Sequence, residues 1–177
     1  MKIFKTNFKD LVEIKLDKFK DNRGNFVKIL NKKNSTKFKN DCYESYLTVS
    51  KKGSVRGLHG QKGKFSQGKL IYCIQGELVD IAIDLRKKSK TFGKIYKKKI
   101  NSNDSMAIFI PKGYLHGIIS LKNNSVMINY CSSPYTPKEE IGIRLNTVPI
   151  KLPKINLIFT KKDKNLPSYE KFFKDLS

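Results

Sequence analysis

Short stretches of alternating apolar and polar positions run along most of this chain, separated by clusters of turn-forming residues. The clearest stretch is residues 77–85. There Leu78, Asp80, Ala82 and Asp84 alternate with Val79, Ile81, Ile83 and Leu85. A period of two predicts a strand with two different faces. Residues 1–20 carry Val12, Ile14 and Leu16 in the same rhythm and predict one or two edge strands. A turn at 21–25 precedes a strand at 26–30, residues 31–41 read as a polar loop, and 43–49 are again strand-like. A turn at 51–53 leads to Val55, and 60–68 form a polar loop containing glycine. Strands are predicted at 69–74 and 77–85, joined as a hairpin by a tight turn at Gln75-Gly76. A polar strand at 93–100 and a short apolar one at 107–110 follow, then a strand pair at 117–121 and 126–131. Only the tail predicts a helix, with Ser168 as its N-cap and Tyr169, Phe172, Phe173 and Leu176 along one side. Many short strands with almost no internal helix mean an all-β sandwich or barrel. No linker or repeat breaks the chain, so residues 1–177 read as a single domain.

The charge changes this picture less than its size suggests. The net charge is +22, from 37 basic and 15 acidic residues. That would suit a nucleic-acid binder. However, the lysines are scattered singly or in short runs, which reads as a solvated surface and not as a specific nucleic-acid face. Against so much lysine, Arg23, Arg56, Arg86 and Arg144 stand out. A planar guanidinium fork for phosphate or carboxylate is one reason to use Arg where Lys is the default. Three cysteines at 42, 73 and 131, without a CxxC, fit a reducing compartment. No apolar leader opens the chain and no window reaches membrane-spanning length, so a cytoplasmic location with no membrane partner is expected.

The candidate chemistry centres on two histidines. His59 lies between Gly57 and Gly60, three residues after Arg56. It is either a turn histidine or a base competent near neutral pH. His116 lies in Pro111-Lys112-Gly113-Tyr114-Leu115-His116, the P-x-G-x-x-H spacing of the second cupin motif. The first cupin motif is broken: Gln61 stands where a second metal-ligating His belongs, and residues 62–67 hold no carboxylate. Two histidines without a third ligand make a poor metal site, so no metal is expected. Tyr135, between Pro134 and Pro137, is either a packed turn residue or a rigidly held phenol. Asp80 and Asp84 share one strand face, which is either solvated or turned inward and in need of partners such as Arg86, Lys69 or the histidines.

Taken together, the motifs resemble a known family. They are Asp21-Asn22-Arg23-Gly24, Arg56-Gly57-Leu58-His59, Gln67-Gly68-Lys69-Leu70, Gly76-Glu77 to Asp84-Leu85-Arg86, and Thr91-Phe92-Gly93. After them come Ile110-Pro111-Lys112-Gly113 with His116-Gly117, Pro134 to Glu139, and Gly142-Ile143-Arg144. In this order they resemble the dTDP-4-dehydrorhamnose 3,5-epimerases of the cupin superfamily, over about residues 10–170. The resemblance implies a cupin-type jelly-roll barrel with a short C-terminal helix. It also implies a homodimer that needs no cofactor and acts on a nucleotide-linked 4-keto sugar. It implies His59 as the base at C3 or C5, Asp163 as its carboxylate partner, Lys69 as the cation beside the C4 oxygen, and Tyr135 as the acid on the opposite face. It implies Arg56 and His116 as diphosphate or sugar contacts, and Arg23 with Phe26 as a nucleotide contact supplied by the neighbouring subunit. Glu44, Gln67 and Arg144 complete the expected substrate contacts. Two departures touch the sugar end. Gly60 replaces the family's aromatic, and Glu44 with Tyr46 replaces its Gln-x-Asn. A smaller residue at 60 implies more room, and so a bulkier sugar such as a GDP-linked 4-keto-heptose. A single-centre epimerase, a 3,4-ketoisomerase and a non-catalytic sugar-binding barrel are the competing readings.

Overall fold

A computed structural model describes residues 1–30 and 42–176; the loop expected at 31–41 lies outside the described residues. Two antiparallel sheets face each other and form the predicted all-β jelly-roll barrel. The six-stranded sheet runs in the order β1 (Lys2–Lys5), β2 (Val12–Lys15), β10 (Met106–Ile110), β7 (Lys69–Gln75), β12 (Ser125–Cys131), β5 (Glu44–Ser50). The five-stranded sheet runs β13 (Glu140–Gly142), β6 (Val55–Gln61), β11 (Tyr114–Ser120), β8 (Glu77–Asp84), β9 (Ile95–Asn101). A separate hairpin joins β3 (Lys18–Asp21) to β4 (Gly24–Val27).

The alternation along β8 has the meaning expected of it. Leu78 and Ala82 pack inward with Ile71 and Cys73 of the opposite sheet. Val79, Ile81 and Ile83 point outward, beneath the C-terminal segment that carries Ile143, Leu145, Leu157, Phe172 and Phe173. Asp80 and Asp84 therefore face the interior, and both are fully buried.

Two predicted pairings are corrected. Strands β7 and β8 do not form a hairpin. Gln75-Gly76 carries the chain from one sheet to the other. The predicted pair at 117–121 and 126–131 is likewise divided, with β11 between β6 and β8 and β12 between β7 and β5. The reason is burial on both faces. Leu70 to Cys73 are all buried, as is every residue of β11. Such strands need neighbours and cover on both sides, which a hairpin with one wet face does not supply. The histidines move as well. Both lie inside strands, His59 in β6 and His116 in β11, and not at turns. The loop predicted from residue 60 starts after Gln61, with a 3-10 turn at Gly63–Phe65.

The tail helix forms as predicted. Ser168 accepts a hydrogen bond from the Lys171 amide and caps Tyr169–Lys174 (α2). One helical turn was not anticipated: Lys161–Lys164 (α1), capped by Thr160. It lies against β6 and carries Asp163 there.

Candidate functional site

Strand β6 brings together residues that a regular strand would separate. Arg56 and His59 are three apart, and regular alternation puts such a pair on opposite faces. The register against β11 slips by one residue between them: Arg56 pairs with Ile118, and His59 with His116. This bulge turns both side chains into one cavity. Gly57 makes it possible. Its φ is +105°, and a Cβ there would lie 2.5 Å from the His116 carbonyl oxygen.

His59 stands between two carboxylates. Its Nε2 is 2.7 Å from Asp163 Oδ1. Thr160 Oγ1 accepts from the Asp163 amide and donates to Asp163 Oδ2 at 2.7 Å, so the cap of α1 also fixes the carboxylate. On the other side, His59 Nδ1 is 3.4 Å from Glu140 Oε1. Glu140 Oε2 accepts from the Tyr135 hydroxyl at 2.9 Å and pairs with Lys162 Nζ. Burial lowers the His59 pKa below the ordinary imidazole range, against the opposing pull of Asp163 and Glu140. The ring is thus neutral and able to accept a proton at neutral pH. Burial would raise Glu140, but Lys162 and Tyr135 outweigh it and hold its carboxyl below the usual range.

The opposite wall comes from the six-stranded sheet. Lys69 on β7 faces the His59 wall, and Tyr46 and Thr48 enter from β5. Asn129 on β12 pairs in register with Tyr46. An inner cavity of about 420 Å³ is bordered by Arg56, His59, Lys69, His116, Tyr46 and Asn129, among others. An outer cavity of about 370 Å³ is bordered by Glu44, Gln67, Tyr135, Glu140 and Gly60, with Tyr46, His59 and Lys69 again. The two cavities therefore meet at Tyr46, His59 and Lys69.

Several expected site residues fall here. Arg56 Nε donates to Ser50 Oγ at 3.0 Å and its Nη2 to the Val49 carbonyl, which orients the fork at the inner cavity. His116 is buried, its Nε2 2.5 Å from Asp80 Oδ1. Gln67 Nε2 donates to the Ser133 carbonyl and to Glu44 Oε1. Gln61 binds the carbonyls of Phe65 and Pro134 and accepts from the Thr136 amide, so it holds the loop that presents Tyr135. Tyr135 is about half exposed (49%) and borders the outer cavity, not the inner one.

Three expected contacts lie elsewhere in this chain. Arg23 is an exposed residue paired with Asp21 at the tip of the β3–β4 hairpin, and Phe26 packs its exposed ring on Phe19. Arg144 donates to the Lys164 carbonyl at 3.4 Å, behind the wall. None of the three borders either cavity. The expected effect of Gly60 is corrected as well. A Cβ at residue 60 would point at β11, 2.8 Å from the Tyr114 carbonyl oxygen and 3.0 Å from Leu115 Cδ2. The glycine lets two strands close up and adds no room for a sugar.

Sequence reasoning missed Glu140 as a partner of His59, and it took Tyr46 only as a departure from a pattern. Glu140 left one signal: a second acid beside Glu139, just before the Gly142-Ile143-Arg144 motif, in a chain poor in acids. Among the described residues no group of three or more His, Cys, Asp or Glu side chains is placed to hold a metal ion.

A first expectation concerns pH. With His59 as the expected base, activity should fall as pH drops through its lowered pKa. Asp163 favours the imidazolium, so Asp163→Asn should move the acid limb to still lower pH. With the tautomer no longer fixed, kcat should drop about 10²–10⁴-fold. A pH profile of both proteins checks this; an unmoved limb would show that Asp163 does not act on the base.

The family model for dTDP-4-dehydrorhamnose 3,5-epimerase matches residues 5–171. The dTDP-4-dehydrorhamnose 3,5-epimerase of Shigella flexneri is 31% identical over 170 residues, covering 93% of this chain and 94% of its own. The crystal structure of the Sulfolobus tokodaii dTDP-4-dehydrorhamnose 3,5-epimerase superposes with a TM-score of 0.88 at 33% identity, covering 97% of both chains. An epimerase from Legionella pneumophila, solved in complex with dTDP-4-keto-L-rhamnose, superposes with a TM-score of 0.88 at 27% identity, covering 96% of this chain and 93% of its own. This chain is an isomerase and belongs to the dTDP-4-dehydrorhamnose 3,5-epimerase family.

Proposed function

We propose that this protein inverts C3, C5 or both in a nucleotide-linked 4-keto sugar, without a cofactor, by general acid–base chemistry through an enolate. The observation that carries this is the meeting of the two cavities, where a neutral histidine backed by a buried aspartate faces a lysine across the gap. A C–H bond beside a ketone is acidified because its loss gives an enolate. His59 on the five-stranded wall takes that proton, and Lys69 on the opposite wall stabilises the negative oxygen at C4. Arg56 and Lys162 at the inner cavity supply positive charge for the diphosphate. Arg23 and Phe26 reach the nucleotide of a neighbouring subunit. The exposed outer face of β5, with Leu47 and Val49, supports a homodimer.

The finer identity follows the altered sugar end. Glu44 and Gln67 offer polar contacts in the outer cavity, which supports a sugar with more hydroxyls than a deoxyhexose, such as a GDP-linked 4-keto-heptose. Residues 1–177 act as one cytoplasmic unit in surface-polysaccharide precursor synthesis. Incubation with dTDP- and GDP-linked 4-keto sugars in heavy water tests the reading. Deuterium should enter at C3, C5 or both, and entry at one carbon alone would mark a single-centre epimerase. Absence of exchange at both carbons with every substrate would overturn the proposal. Thermal shifts with dTDP and GDP would rank the nucleotides.

A further inference from the structure

A sugar whose C3 or C5 inverts during the reaction is best held by a carbon that does not change. C2 is such a carbon. Its hydroxyl lies between the diphosphate linkage at C1 and the reacting C3–C4 edge. Building on the epimerase reading above, we infer that Asn129 on β12 donates to the C2 hydroxyl of the sugar and selects 2-hydroxy over 2-deoxy substrates.

Asn129 is built into the barrel wall without a partner. Along β12 the buried Met127, Asn129 and Cys131 alternate with the half-buried Ile128 and Tyr130, so the amide points inward. It is 1% exposed and borders the inner cavity. Four buried side-chain atoms lack a hydrogen-bond partner among the described residues, and two of them, Asn129 Nδ2 and Thr48 Oγ1, belong to residues bordering this one cavity. An unpaired buried amide destabilises the free protein. An apolar side chain here would instead continue the packing of Ile71 and Met127. A ligand oxygen that completes the donor accounts for the amide.

Register narrows the choice of that oxygen. Lys69 pairs with Cys131, two residues beyond Asn129 on the same face, which is roughly 7 Å along the strand. In the other direction Thr48 pairs with Met127 and Ser50 with Ser125. Ser50 Oγ in turn accepts from Arg56 Nε. Asn129 therefore lies between the lysine proposed for the C4 oxygen and the guanidinium proposed for the diphosphate. A ring spanning those two groups lays one of its edges over Asn129. The C5 edge offers only the ring oxygen, a poor acceptor beside the anomeric carbon. The C3 hydroxyl changes direction when C3 inverts. The C2 hydroxyl keeps its configuration from substrate to product, so one fixed donor serves both.

Two variants of the full-length protein, Asn129→Leu and Asn129→Val, test this. Leu keeps the branching of Asn without its donor, and Val removes the donor with less bulk. Each is compared with wild type on an accepted 4-keto nucleotide sugar, on its 2-deoxy counterpart and in binding the free nucleoside diphosphate. Wild type should prefer the 2-hydroxy sugar in kcat/KM by about tenfold or more. Both variants should shrink that preference to within about threefold, through loss of the 2-hydroxy sugar, and bind the nucleoside diphosphate as wild type does. Without ligand, both should melt at or above the wild-type temperature, because an unpaired donor has left the interior. A preference unchanged in both variants would overturn the inference. So would an equal loss of affinity for the free nucleoside diphosphate, which would make Asn129 a diphosphate contact, or a lower melting temperature in both, which would make it a structural amide. A wild-type protein that turns over no 4-keto sugar would overturn the epimerase reading, and this inference with it.

Discussion

His59→Asn should remove deuterium incorporation at both C3 and C5, by about 10³-fold or more. No other group on that wall can take over. Glu140 lies next to the ring, but Lys162 and Tyr135 hold its carboxyl below the usual range, which makes it a weak base. His116 sits in the register position beside His59, yet its Nε2 is committed to the fully buried Asp80. Asparagine preserves a donor toward Asp163, so the buried carboxylate keeps a partner and the fold should survive. Thermal unfolding close to wild type, together with lost exchange, is the expected pair of results. Exchange within tenfold of wild type in the Asn variant would show that another residue removes the proton.

Asp84→Ala should cost about 1–3 kcal/mol of stability at neutral pH, because it takes the shared acceptor from the partly buried Arg86 and from the hydroxyls of Ser89, Thr91 and Tyr114. Asp84 is fully buried at the end of β8. Arg86 Nε reaches its Oδ1 and Arg86 Nη2 its Oδ2, each at 2.8 Å, and Ser89 and Thr91 donate to Oδ2 at 2.7 and 2.6 Å. The Tyr114 hydroxyl adds a bond at 3.2 Å. Burial alone would raise this carboxyl. The bonds from Arg86, Thr91 and Ser89 outweigh it and hold the group well below the usual range. A carboxyl with a lowered native pKa contributes stability that is fully present above the unfolded carboxyl range and is lost as pH falls toward the native value. Urea unfolding at pH 7 and pH 3 should therefore show the gap between wild type and variant shrinking in acid. A gap of equal size at both values would mean that lost packing, and not charge, accounts for the cost.

Much of the barrel was legible in the sequence because β8 alternates so regularly and the turn clusters divide the strands evenly. The cap at Ser168 was legible for a local reason: a hydroxyl before an apolar stripe signals a helix start. Sheet membership was not legible. Strands buried on both faces, such as β7 and β11, carry no pattern that tells which neighbour they take. The site divides in the same way. His59, Lys69 and Asp163 were reached through motifs, although His59 and Asp163 lie 104 residues apart. The shared face of Arg56 and His59 depends on a one-residue register slip, which no strand periodicity can foretell. Glu140 and Tyr46 depend on which strands lie across the cavity, and that is a property of the closed barrel alone. Gly60 shows the converse error: a missing side chain suggested empty space, while the backbone had already closed over it.

The two cavities share only a waist of three side chains, so the parts of this enzyme can change at different rates. Glu44 and Gln67 border one chamber alone and Arg56 and Met127 the other, and none of the four touches His59 through a hydrogen bond or ion pair described above. On the proposed function, mutation at these four positions would change which sugar substituent or nucleotide is accepted while His59 and its partners stay intact. A barrel built in this way is suited to gene duplication, in which copies acquire new sugars by altering a chamber and leave the waist untouched.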